Sequence, residues 1–205
     1  MAAPVIETER LHLTIPPPES AARMATYAVE NEAHLGKWEP PRPDGYFTEG
    51  YWYRRLERNL DEHTHDLSLR LAIFRRSDLD GPVCGHVNFN QIQRGGFQAC
   101  TLGYSLDHRC EGRGMMTEAL GAAIPYVFSE LKLHRVQANY IPINERSAHV
   151  LRRLGFAVEG YARDYLFIGG AWRDHILTAL TNPRAPLPLT QPGASAPAPT
   201  GPATR

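Results

Sequence analysis

The chain has 205 residues, 42% hydrophobic and 21% charged, with 22 Lys plus Arg against 22 Asp plus Glu. This is the composition of one ordinary globular domain, and a formal net charge of +0 gives no broad attraction to nucleic acid, so no specific DNA binding is expected. Cys84, Cys100 and Cys110 lack metal-ligand spacing, and no secretion signal or apolar run of membrane-span length stands out, so a reduced, cytoplasmic protein without metal or membrane is expected.

Residues 8–15 alternate, with Leu11, Leu13 and Ile15 on one side and Arg10, His12 and Thr14 on the other, which predicts a first strand. Pro16, Pro17 and Pro18 end it. Residues 19–31 read as a helix with Met24, Ala25 and Val29 among its apolar positions. A proline-rich loop over 34–45 holds Trp38 and Glu39. Thr48 is a good N-cap for a helix to residue 62 that carries Tyr51, Trp52, Leu56 and Leu60. Strands follow over 67–74, 83–92 and 99–106, separated by turns at 78–81 and 94–96.

A long helix is predicted over 114–131, because Met116, Leu120, Ile124, Val127, Phe128 and Leu131 recur at helical spacing. Pro125 inside it is expected to remove a hydrogen bond and bend it. Then come a strand over 135–141 and a short helix capped by Asn144, running to 154 and stopped by Gly155. Strands 164–168 and 172–180 form a hairpin across Gly169 and Gly170. The domain spans residues 1–182, and residues 183–205, dominated by Pro, Ala, Thr and Gly, read as a disordered tail. The sum is a mixed α/β sandwich with a largely antiparallel sheet.

The stretch between strand 99–106 and the long helix carries the chemistry. It reads Arg109-Cys110-Glu111-Gly112-Arg113-Gly114. The glycines permit positive φ and close approach of a ligand, and the free N–H groups of the following helix favour an anion. Arg109 and Arg113 add positive charge. The loop is neither a Walker loop nor a dinucleotide fingerprint, since no Gly-Lys-Ser/Thr follows and Thr117 stands where a third glycine would be. Phosphate or pyrophosphate is the ligand class it suits.

This run resembles the coenzyme A signature of the GNAT N-acetyltransferases, Q/R-x-x-G-x-G/A, with Arg109, Gly112 and Gly114 at its fixed positions. The RimJ/RimL group is the nearest branch, on Trp38-Glu39-Pro40, Leu102-Gly103-Tyr104-Ser105, Ala138-Asn139-Tyr140, Arg152-Arg153-Leu154-Gly155-Phe156, Glu159-Gly160-Tyr161-Ala162 and Trp172-Arg173-Asp174-His175. The resemblance implies a GNAT fold in which a parallel strand pair, here 99–106 and 135–141, splays apart and admits the coenzyme. It implies acetyl-CoA as co-substrate, bound by Ser105, Leu106, Arg109, Cys110, Glu111, Gly112, Arg113, Gly114, Met115 and Asn144. It implies transfer to the α-amine of a ribosomal protein beginning with alanine, with the ribosome as a further partner and a monomer or homodimer as the assembly. The alternatives are an enzyme of a small amine, and a non-catalytic ribosome-binding protein that keeps the fold.

Acetyl transfer to an amine needs a base for the ammonium proton and a donor for the leaving thiolate. Many relatives carry a donor Tyr seven residues beyond the Asn; here that position is Leu151. The resemblance to RimL-like enzymes points instead to Ser147, whose alternative role is to cap the helix backbone. The expected base is Asp164, with Glu39 as rival. A carboxylate is a poor base at neutral pH unless burial raises it or water relays the proton. Trp38, Glu39, Asn88, Tyr140 and Tyr165 are expected to line the acceptor pocket. Asp174 and His175 are adjacent strand residues that face opposite ways, so they are not expected to act as a dyad.

Overall fold

A computed structural model describes residues 3–185. The expected tail lies outside the described residues from position 186 on. An 8-stranded sheet runs in the order β1-β2-β3-β4-β5-β6-β8-β7. Its strands are β1 (Val5–Glu7), β2 (Leu11–Thr14), β3 (Leu69–Arg75), β4 (Gly85–Gln93), β5 (Ala99–Leu106), β6 (Arg135–Tyr140), β7 (Ala157–Ile168) and β8 (Ala171–Thr181). All neighbours are antiparallel except β5 and β6.

Helices cover both faces. On one lie α1 (Ala21–Glu30), α2 (Glu32–Leu35) and α3 (Glu49–Thr64); α1, α2 and α3 form a cluster with Ala72 and Phe74 of β3. On the other lie α4 (Met115–Ser129) and α5 (Glu145–Arg153), packed with Leu71, Ile73, Val87, Phe89 and Leu102. Phe89, Leu71 and Leu120 are 0% exposed, and each such burial contributes about 1.5–3 kcal/mol.

The expected caps are present. Thr48 Oγ1 accepts from Tyr51 N, and Asn144 Oδ1 accepts from Ser147 N. Gly155 takes φ +85°, the left-handed conformation that ends α5. Gly169 and Gly170, at φ +58° and +79°, turn the β7–β8 hairpin. Helix α4 continues through Pro125, which is exposed.

Several bounds differ from the sequence reading. The first alternating run is strand only over Leu11–Thr14, and β1 precedes it. The second segment opens with a 3-10 turn at Pro18–Ser20 before α1, and the proline-rich loop begins with the one-turn helix α2. Strand β7 starts at Ala157, well before the expected 164. Its residues are exposed on both faces over most of its length, so no alternation marks it in the sequence.

Strands β5 and β6 define the site. They pair in parallel only through Ala99–Arg135, Cys100–Val136 and Thr101–Gln137. Beyond Thr101, β5 continues to Leu106 and β6 to Tyr140 without bonding each other. The sheet is therefore open between the C-terminal halves of these two strands.

Candidate functional site

The coenzyme-type loop follows β5 directly. Gly112 and Gly114 both take φ +72°, and Gly114 is the N-cap of α4 with no side-chain cap. A Cβ on Gly112 would meet no heavy atom within 4 Å, so the loop is open outward. Uncapped amides at the start of a 15-residue helix, under two glycines, form a cradle that fits a pyrophosphate.

Several side chains at the start of the loop are tied to one another and to α1. Asp107 is 1% exposed and accepts from Arg109 N, Nε and Nη2 at 2.7, 2.9 and 2.6 Å. Asn31, 0% exposed, donates to Asp107 Oδ2 at 3.2 Å and accepts from His108 N at 3.1 Å. Burial alone would push the Asp107 carboxyl up, but the bonds from Arg109 and Asn31 hold it down at about 2. Arg109 also pairs with Glu30 of α1. Its guanidinium is thus committed to two carboxylates, which corrects the expectation that it lends free positive charge to an anion.

Other expected coenzyme residues divide in the same way. Glu111 pairs with Arg146 and with His34 at 3.1 Å. Cys110 and Met115 are buried in the core beneath the loop, with Arg75 Nη2 at 3.7 Å from Cys110 Sγ. Arg113 is exposed, and its carbonyl accepts from Arg10 Nη1 at 3.0 Å. Ser105 Oγ lies 3.0 Å from Tyr27 Oη, and Leu106 packs against the core. Asn144 spends its side-chain oxygen on the cap, leaving its Nδ2 for a ligand.

Ser147 stands one turn into α5, and Tyr104 of β5 reaches it across the open sheet. Tyr104 Oη lies 2.7 Å from Ser147 Oγ and donates to Ser147 O at 3.3 Å. Burial pushes the Tyr104 hydroxyl up to about 12, against the opposing bond from Ser147, so it keeps its proton at neutral pH. Tyr104 was not singled out in the sequence. Its signal is positional: it lies beyond the last parallel pair, on the strand face that carries α5. Leu151, in the position of the usual donor, is buried in the core at 2% exposure.

Among the described residues, Asp164 and Ser147 share no hydrogen-bond partner. Asp164 sits in the irregular stretch of β7 between Ala162 and Leu166, at φ +47°, and its amide donates to Asp174 Oδ1 at 2.9 Å. Its carboxylate is exposed. The bulge lies level with the end of β6, since Tyr140 pairs Ile176, which pairs Tyr161. Glu39 is half-buried and paired with Arg42, whose guanidinium lies 4.3 Å from the Tyr46 ring centroid. Both line a cavity of about 360 Å³ between their loop and the Gly169–Gly170 turn.

Trp38 is half-buried, 5.4 Å from Lys37 Nζ. Tyr165 Oη accepts from Asn139 Nδ2 at 3.0 Å. Tyr140 is half-buried at the end of β6 and close enough to Tyr104 to help raise its pKa. Asn88 lies on β4 opposite Gly103. Among the described residues no group of three or more His, Cys, Asp or Glu side chains is placed to hold a metal ion, and no helix is long and apolar enough to cross a membrane.

Residues 10–157 match the acetyltransferase (GNAT) domain. Over 178 residues the chain is 42% identical to the [ribosomal protein uS5]-alanine N-acetyltransferase of Escherichia coli, covering 87% of this chain and 91% of that protein. It superposes on a ribosomal-protein-S5-alanine acetyltransferase from Vibrio fischeri with a TM-score of 0.85 at 37% identity, over 89% of this chain and 99% of that one. The RimJ of Mycobacterium smegmatis, solved with a CoA-disulfide, matches with a TM-score of 0.79 at 26% identity, over 91% and 90%.

Proposed function

The chain belongs to the GNAT acetyltransferase family, and we propose that it transfers an acetyl group from acetyl-CoA to the α-amine of a ribosomal protein that begins with alanine. The observation that carries this reading is the opening between β5 and β6, flanked by an anion cradle at Gly112–Gly114 and by Ser147. The relative of this name, matched along nearly its whole length, supplies the substrate class. Such an enzyme acts in the cytoplasm, where ribosomal proteins are made.

Acetyl-CoA, when bound, supplies an activated acyl thioester. The amides from Gly112 to Met115 hold its pyrophosphate, and Asn144 Nδ2 offers a further donor. Ser147 Oγ, oriented by Tyr104 and by its place in the first turn of α5, holds a proton for the leaving thiolate. A protein α-ammonium has a pKa of about 7.7–8.0, so a modest base suffices to free it. Asp164 is the carboxylate we assign to this step through water, because Glu39 is already neutralised by Arg42. No acyl-enzyme is required: burial pushes the Cys84 and Cys100 thiols up to about 12, far from a reactive thiolate.

Intact-mass spectrometry with acetyl-CoA tests the substrate. Peptides beginning Ala, Ser, Met and Leu are compared with free alanine, spermidine and an aminoglycoside. One acetyl group on the Ala peptide, less on the Ser peptide and little elsewhere is the expected result. Faster acetylation of any free small amine overturns the protein substrate.

A further inference from the structure

Gly103 is a glycine that the protein itself does not need. It sits inside β5, a central strand, where glycine has no side chain to pack and weakens the strand. Its φ is not positive, so the backbone conformation does not call for glycine. A Cβ built there would meet no heavy atom of the described residues within 4 Å, so neighbouring packing does not call for it either. The remaining reason for a mid-strand glycine is close approach of something outside the chain.

Its position says what approaches. Gly103 comes two residues after Thr101, the last residue of β5 that pairs with β6, so it lies at the mouth of the opening. It faces the α1–α3 side, opposite Asn88, while its neighbour Tyr104 faces the α4–α5 side and holds Ser147. On the same face of β4, His86 and Asn90 flank Asn88, paired with Ser105 and Thr101. His86 Nε2 and Asn90 Oδ1 are buried and have no hydrogen-bond partner among the described residues. Buried polar atoms without partners are rare, and two on one strand face call for a visiting group. One side of this trough is walled by Tyr27 and Trp52, whose rings lie 4.7 and 5.9 Å from the His86 ring.

The groups that flank Gly103 are uncharged, and Arg70, beside Asn88 on β3, is paired with Glu62. Burial pushes the His86 imidazole down to about 4, with the Arg42 and Arg70 charges adding to the effect, so it is neutral at working pH. Asn88 and Asn90 carry no charge. Glu62, on α3, is engaged by Arg55, Arg58, Arg70 and Ser68. Amide and imidazole groups around an empty glycine face suit a peptide backbone with a small side chain, and suit a polyamine poorly.

We propose that Gly103 sets the size limit of the acceptor: the space above it receives the side chain of the peptide's first residue, with Asn88 and Asn90 of β4 bonding the peptide backbone beside it. This assignment rests on the reading of the acceptor as a protein N-terminus. It separates the two substrates by sheet face, the peptide over Gly103 and the proton donor Ser147 behind Tyr104.

The test uses the full chain and the variants Gly103→Ala and Gly103→Val. Either residue fits the backbone, so Tm is expected to hold. Gly103→Ala should lower kcat/KM about tenfold for an Ala-initiated peptide and Gly103→Val about a hundredfold, the range a misplaced methyl group produces in a tight pocket. A Gly-initiated peptide should lose much less with Gly103→Ala, because the missing methyl compensates. The acetyl-CoA Kd from calorimetry should not change. Undiminished turnover of the Ala peptide overturns the assignment, and so does an equal loss for the Gly and Ala peptides. A weaker acetyl-CoA affinity in step with the loss gives the space to the coenzyme and overturns it too. Failure of the functional reading shows separately, on the unmodified enzyme, as preference for a free amine over every peptide.

Discussion

The two sides of the opening between β5 and β6 treat their polar groups in opposite ways. Around the loop after β5, Asp107, Arg109, Glu30, Asn31 and His108 satisfy one another, Glu111 pairs with Arg146 and His34, and the backbone amides at two glycines point outward beside the exposed Arg113. On the α1–α3 face, side-chain atoms are left over instead: His86 Nε2, Asn90 Oδ1 and Trp52 Nε1 have no partner among the described residues. On the proposed reading, the coenzyme side is a hydrogen-bonded frame that presents main chain, and the acceptor side is lined by buried polar atoms that a bound peptide would partner. A ligand common to a whole family can be held by backbone, which tolerates sequence change; an acceptor that differs between relatives has to be read by side chains.

The comparison breaks most sharply at Gly114. An Asp there keeps the backbone, since Asp is among the residues that tolerate the left-handed region. It also places a carboxylate beside the amides meant for pyrophosphate. Gly114→Asp is expected to weaken acetyl-CoA binding by about 10²-fold or more, from lost charge-assisted hydrogen bonds and added repulsion. Calorimetry on the folded variant giving wild-type affinity would show that the loop does not bind the coenzyme.

Next in size is the Tyr104–Ser147 bridge from β5 to α5, on the α4–α5 side of the sheet. Ser147→Ala is expected to lower kcat by about 10², the lower end of what a positioned proton donor contributes. Tyr104→Phe keeps the ring and removes the bond to Ser147 Oγ, and should cost about tenfold in kcat with KM for acetyl-CoA unchanged. Stopped-time assays across pH 6 to 9 decide it. If Tyr104→Phe raises KM and spares kcat, the hydroxyl serves binding and the bridge has no catalytic meaning.

The smallest effect concerns the frame. The Asp107 carboxyl lies at about 2 in the folded chain, against about 3.9 for an unfolded Asp. As pH falls, the unfolded chain takes up this proton first. The stability that Asp107 contributes is therefore complete above about pH 5 and is lost between about pH 4 and 2. Asp107→Asn should lower Tm at pH 7 by about 5–10 °C, the equivalent of about 2–3 kcal/mol, and flatten the fall of Tm below pH 4. An unchanged acid limb in scanning calorimetry would remove Asp107 from the frame.

The same contrast explains what could be read in the sequence. Strand β5 was legible to its ends because apolar residues, glycine and the loop signature bound it, and Thr48 and Asn144 announced their helices through side-chain chemistry. The parallel pairing of 99–106 with 135–141 is what the family resemblance implies, and no local pattern carries it. Strand β1 and helix α2 are too short to show a period, and most of β7 shows none because both its faces meet solvent. The glycines of the anion cradle stand in a recognisable spacing. Gly103 and Tyr104 do not: their meaning lies in where β6 leaves β5, a tertiary fact that no local pattern carries. The pairing of Arg109 is tertiary in the same way, since Asp107 is two residues away but Glu30 is on α1.

The central claim is that coenzyme and acceptor occupy their two sides at the same time, so that the amine attacks directly. Initial velocities with acetyl-CoA and an Ala-initiated peptide, each varied at fixed levels of the other, test this most directly. Intersecting double-reciprocal lines, with no acetylated enzyme detected by mass when peptide is omitted, are the predicted result. Parallel lines together with an acetyl-mass increment on the chain would contradict it.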